Sequence, residues 1–162
     1  MKPNQHYVKV AQHAVGGKDD MLVTLGLGSC VAILLQDPAA GVMGMAHALL
    51  PEPSLSRDAQ NPYKFATTSV PALVAELRAM GARPERLEAR LVGGSAMFSS
   101  LMVPGTLNMG ERNVRAARAA LEEARIPIRG EDVGRDYGRS VRMKLGAGNT
   151  VISSVGRPDV AL

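Results

Sequence analysis

Tryptophan is absent from this 162-residue sequence, and three Tyr and two Phe are its only aromatic residues. A stacking platform for nucleobases is therefore poorly supplied, and aliphatic side chains and nine Met must fill the core. Cysteine occurs once, as Cys30, which rules out an intrachain disulfide framework and suits a reducing, cytoplasmic setting. Long apolar runs are also missing. Stretches such as residues 31–35 are far shorter than a membrane span, and residues 1–6 lack the apolar segment of a signal peptide. The chain is thus expected to be cytoplasmic and not membrane-inserted. Blocks of one charge are lacking too: the net charge is +4, yet Arg83, Arg86 and Arg90 alternate with Glu85 and Glu88, and Arg112, Arg115 and Arg118 sit among Glu111, Glu122 and Glu123. Interleaving of this kind reads as a solvated mixed surface, and with no zinc-ligand spacing or RNA-binding signature neither nucleic acid nor a metal is expected.

What is present, 46% hydrophobic and 21% charged residues, is the composition of one soluble domain, taken as residues 1–162 with 155–162 as a loose tail. Short strands are expected at 7–10 and 22–25, separated by the turn-rich residues 16–20. Residues 30–36 and 41–47 form two apolar runs around Asp37, Pro38, Ala39 and Ala40, which predicts a β-hairpin with 37–40 as its loop. The polar, Pro-flanked stretch 51–61 suits a lid or partner-contact loop. A helix is expected over 68–80, with Ser69 near its cap and Pro71 in its first turn, and a second over 111–125. Between them 87–92 reads as a strand running into Gly93 and Gly94, and 140–145 with 150–153 as a second hairpin. This order is an α+β layered sandwich, an antiparallel or mixed sheet flanked by helices. Residues 26–31 only superficially suggest a dinucleotide loop, because Val31 stands where the third glycine belongs and a strand follows.

The hairpin brings the chemistry into view. With 37–40 as the loop, Cys30 lies directly opposite His47, and facing residues have Cβ atoms about 4.5–5.5 Å apart. A neighbouring imidazolium stabilises a thiolate and supplies a proton to a leaving group, while Thr24 on the preceding strand is placed to orient the ring through its other nitrogen. Gly28 and Ser29, just before Cys30, can present backbone N–H groups to an oxyanion. The same residues admit a structural reading. A lone Cys in an apolar run is ordinarily a buried small hydrophobe, and a one-residue slip in register would part the two side chains.

The stretch Thr24-Leu25-Gly26-Leu27-Gly28-Ser29-Cys30-Val31, followed by Gly44-Met45-Ala46-His47-Ala48-Leu49-Leu50-Pro51, resembles the signature of CheD, the chemoreceptor glutamine deamidase family. Three further segments match in order: Val92-Gly93-Gly94-Ser95-Ala96-Met97, Gly110-Glu111-Arg112-Asn113, and Gly134-Arg135-Asp136-Tyr137-Gly138-Arg139. The resemblance runs from Tyr7 to about Ser153. Arg135 departs from it where a glycine is usual, and Phe65 and a threonine of 67–68 stand where Tyr and Asp are common. The resemblance implies hydrolysis of glutamine side-chain amides, and of glutamate methyl esters, on the cytoplasmic helices of chemoreceptors. It implies catalysis by Cys30, His47 and Thr24 without a cofactor. It also implies an alternative role as a binding module that stimulates a CheC-type phosphatase. Gly93, Gly94, Gly110 and Gly134 are expected to serve turns or close packing, and Asn113 to bond backbone at a helix start.

Overall fold

Val31, Ile33 and Leu35 point to one side of a strand and Ala32 and Leu34 to the other, and all five are buried. A strand buries both faces only inside a layered structure. In the computed structural model, which describes residues 2–98 and 108–162, that strand is β4 (Val31–Asp37), central in a sheet with β2 (His13–Gly16), β5 (Val42–Ala48), β6 (Glu88–Gly93) and β7 (Ile128–Val133). The strand order is β2-β5-β4-β6-β7. A second sheet holds β1 (Asn4–Tyr7), β3 (Asp20–Leu27), β8 (Arg139–Met143), β9 (Thr150–Ser154) and β10 (Arg157–Ala161), in the order β1-β3-β8-β9-β10. The pairs β1/β3 and β6/β7 are parallel and the others antiparallel. The sheets are therefore mixed.

Two helices, α1 (Ala66–Ala79) and α2 (Met109–Glu123), cover one face of the sheet that contains β4. Val70, Leu73 and Leu77 of α1 and Val114, Ala117 and Leu121 of α2 pack with Val31, Ile33 and Leu35. On the opposite face Ala32, Leu34, Met43 and Met45 meet Leu22, Val141, Met143 and Ile152 of the second sheet. The α+β sandwich is thus sheet, sheet, helix pair, with both helices on one side. Cys30 belongs to the layer between the sheets.

Several local expectations need correction. Helix α1 starts at Ala66, so Pro71 lies past its first turn, on an exposed position. Ser69 does not cap it. Its hydroxyl donates to the Phe65 carbonyl at 2.6 Å, one turn back. Helix α2 starts at Met109, where the Asn108 side chain accepts from Glu111 N–H and donates to the Glu111 carboxylate, both at 2.8 Å. Residues 157–161, expected to be a loose tail, instead form β10 against β9, and Leu162 exchanges backbone bonds with Thr150. The loop 51–61 is anchored where the Asn61 side chain donates to Ala11 O at 2.8 Å.

Asp37 was expected in the hairpin loop and instead ends β4, opposite Val42. Its fully buried carboxylate accepts from Ala40 N–H at 3.1 Å, Arg83 N–H at 2.9 Å and Arg86 Nε at 3.0 Å. Burial alone would raise its pKa, but these donors together hold it below the ordinary 3.8. The stabilisation is complete above 3.8 and is lost as the pH falls from there through the folded value. Asp37→Ala is expected to cost about 2–3 kcal/mol by urea unfolding at neutral pH. The difference from wild type should shrink in strong acid, and a constant difference down to that range would contradict the assignment.

Candidate active site

Thr24 of β3 and His47 of β5 come from different sheets and meet in the buried layer between them. A β-bulge sits between Thr24 and Leu27, leaving Leu25 and Gly26 exposed in succession. The Thr24 hydroxyl donates to the Val8 carbonyl at 2.6 Å, and its oxygen lies 2.8 Å from His47 Nδ1. Having one proton and giving it to Val8, Thr24 can only accept from His47, so the network assigns the imidazole proton to Nδ1. The weaker contact from Nδ1 to Val8 O, at 3.4 Å, requires the same tautomer. Nε2 is consequently a bare lone pair, and it has no hydrogen-bond partner among the described residues. That is the state of a general base.

Cys30 is placed by register. In the observed ladder Ala32, not Cys30, faces His47, because the turn comprises residues 38–41 and Asp37 pairs with Val42. The expected register is therefore displaced by two residues. An even displacement preserves the face, and Cys30, which immediately precedes β4, is packed with Ala32, Met43 and Met45 in the layer that His47 enters, no longer directly across from it. Gly41, at φ +71, supplies the left-handed residue that closes the turn.

The electrostatics also differ from the expected ion pair. Burial pushes the Cys30 thiol above its ordinary value, with its own backbone N–H opposing. Burial pulls the His47 imidazole below 6.5, with the Val8 carbonyl opposing. Both shifts favour a neutral thiol beside a neutral imidazole. The expected ion pair is thus not the arrangement that burial favours here.

The loop before Cys30 is held through its carbonyls. Gly28 O accepts from Ser95 N–H at 2.9 Å, Ser29 O from the Asn113 side chain at 2.8 Å, and Cys30 O from Gly94 N–H at 2.8 Å. Gly93, at φ +108, allows this approach, since a Cβ there would stand 2.4 Å from Cys30 O. Asn113 is the one residue here whose bonding role the sequence suggested but whose partners it did not. Beside the loop lies a cavity of about 310 Å³ lined by residues that include Ser29, Ser95, Met97, Asn108 and Gly110. The buried Ser95 hydroxyl has no partner among the described residues; Ser95 carried no special signal in the sequence. Arg135 adopts φ +63, a left-handed conformation that a glycine would take without strain.

The fold is a two-sheet α+β sandwich in which Thr24 and His47 are hydrogen-bonded between the sheets and the single cysteine is buried in the same layer. Sequence comparison gives the family: residues 49–154 match CheD, described as CheD chemotactic sensory transduction. The chain is 41% identical over 149 residues to the chemoreceptor glutamine deamidase CheD of Thermotoga maritima, covering 92% of this chain and 91% of that protein. It is 42% identical over 152 residues to a Geobacter metallireducens protein named "Probable chemoreceptor glutamine deamidase CheD 2", covering 93% and 94%. This chain belongs to the CheD family. Its fold also resembles that of the Neisseria meningitidis protein NMB0706 of the DUF152 family, with a TM-score of 0.53 at 14% identity, over 83% of this chain and 65% of that one. Among the described residues no helix is long and apolar enough to cross a membrane.

Proposed function

We propose that this protein is a cytoplasmic protein-glutamine glutaminase that converts glutamine side chains on chemoreceptor helices to glutamate, with Cys30 as nucleophile, His47 as acid and base and Thr24 as the group that orients His47. The observation that carries this reading is the tautomer fixed by Thr24, which leaves Nε2 of His47 unprotonated in the layer that holds the only thiol. In the first step Nε2 takes the Cys30 proton and the sulfur adds to the amide carbon, sending the carbonyl pair onto oxygen. Collapse of that oxyanion breaks the C–N bond as His47 returns the proton to the departing ammonia. Water, deprotonated by the same nitrogen, then hydrolyses the thioester. A glutamate methyl ester enters the same sequence with methanol as the leaving group. Backbone N–H groups around Gly28, Ser29 and Cys30 stabilise the oxyanion. No step needs a cofactor.

The test is intact-mass spectrometry of a purified chemoreceptor cytoplasmic fragment before and after incubation, since each turnover replaces NH₂ by OH. Mass gain with wild type and none with buffer is the expected result; an unchanged fragment defeats the proposal. The fully folded fragment is expected to react faster than its protease digest, with the advantage shrinking at high salt. Binding energy gathered over an extended helical surface is what positions the amide, and the arginine-bearing surface steers an acidic helix. Equal rates on both substrates at both salts would contradict surface recognition.

A further inference from the structure

The three successive carbonyls before and at the nucleophile, those of Gly28, Ser29 and Cys30, are each tied to a different donor. Two of the donors are backbone N–H groups of Ser95 and Gly94. The third, at Ser29, is a side chain: Asn113, the fifth residue of α2 and completely buried. Its amide nitrogen donates to Ser29 O at 2.8 Å and to Leu49 O at 3.0 Å. One carbonyl immediately precedes Cys30 and the other lies two residues beyond His47. The amide has one orientation only, because a flip would set its oxygen against two carbonyl oxygens. Gly110 makes this reach possible. A Cβ at that position would stand 2.5 Å from both Gly94 O and Ser95 O, so only a glycine lets the first turn of α2 lie against the residues that clasp the loop.

Fixing a carbonyl fixes the N–H on the other side of its peptide. The peptide between Ser29 and Cys30 is planar and trans, so holding Ser29 O toward α2 points Cys30 N–H the opposite way. No carbonyl or side chain among the described residues accepts that N–H. A donor beside the attacking sulfur, unshared and held from behind, has the geometry of an oxyanion-hole group.

We propose that Asn113 is a positioning residue for catalysis: by holding the Ser29 carbonyl it aims Cys30 N–H at the oxygen that becomes negative when the Cys30 sulfur adds to the substrate amide. Asn113 touches neither substrate nor sulfur in this role. The inference rests on the deamidase reading above and assigns that reaction's oxyanion donor and the side chain that orients it.

The test separates oxyanion stabilisation from simple integrity of the loop. Asn113→Ala is compared with wild type on the receptor fragment for kcat and KM, and on iodoacetamide for the rate of Cys30 alkylation at a pH where the thiol is ionised. Alkylation displaces iodide from carbon and builds no oxyanion, so it reports on the sulfur and its access alone. The expected result is a fall in kcat of about 10²–10³-fold, the usual loss for one oxyanion donor, with KM and the alkylation rate close to wild type. An unchanged kcat, a loss confined to KM, or a parallel fall in alkylation overturns the assignment. Should the variant not fold, the wild-type enzyme answers instead. A receptor-derived helical peptide carrying the γ-aldehyde in place of the target glutamine adds Cys30 to form a thiohemiacetal, and the ¹⁵N-labelled Cys30 amide proton is expected to move downfield. An adduct that leaves that proton unmoved overturns it equally. If wild type does not convert the receptor fragment at all, the deamidase reading falls and this inference with it; a Cys30-dependent wild type with an indifferent Asn113→Ala removes the inference alone.

Discussion

Replacing Cys30 by alanine is expected to lower the rate of receptor-glutamine hydrolysis by about 10⁴-fold or more, the scale on which covalent catalysis fails when its nucleophile is removed. Only the sulfur is deleted, from a residue that is 9% exposed in an otherwise apolar layer, so the fold should survive and the melting temperature should change little. Intact-mass assays of the receptor fragment and iodoacetamide labelling of the native protein check both halves. In wild type the labelling rate should keep rising through and above the ordinary thiol range, because burial holds the thiol protonated to higher pH. Activity within tenfold of wild type in the alanine variant would identify Cys30 as a core residue and nothing more.

His47→Gln should show the second-largest effect, a loss in kcat of about 10²–10⁴-fold, because it removes the group that both takes the thiol proton and returns it to ammonia. Thr24→Val should lose less, since the base remains and only the proton's preference for Nδ1 is weakened. The wild-type pH profile carries the same information. Burial lowers the His47 pKa below 6.5, and catalysis requires the neutral ring, so kcat/KM should climb with pH through a midpoint below 6.5 and then level off. An acid limb centred above 6.5 would mean that the resting site holds an imidazolium.

That contrast shows what local sequence can and cannot resolve. The face shared by Cys30 and His47 was legible because strand side chains alternate, and a two-residue displacement leaves alternation intact. The register itself was not, since Asp37 looks like a turn residue until Arg83 and Arg86, nearly fifty positions away, claim its carboxylate. Gly41 was the available signal: a glycine ending the turn fits its left-handed conformation. Strands β2, β7 and β10 went unseen because they lie at sheet edges. Residues 128–133, Ile-Arg-Gly-Glu-Asp-Val, alternate poorly, and their extended shape comes from the neighbouring ladder. Asn113 was readable as a backbone-bonding residue, but its partners lie 84 and 64 positions away. Nothing local marks which carbonyls it will hold.

A sulfur kept protonated until a base acts on it has a bearing on survival as well as on turnover. Peroxide converts thiolates to sulfenic acid and leaves thiols largely untouched, and over-oxidised sulfinic and sulfonic forms are mostly beyond repair. An enzyme whose nucleophile idled as a thiolate at the surface would be consumed whenever its cell met an oxidant. On the proposed mechanism Cys30 rests as a thiol in the layer between the sheets and becomes a nucleophile only through proton transfer to His47. Receptor modification by such an enzyme would be insulated from redox fluctuations, at the cost of a slower first step in each turnover.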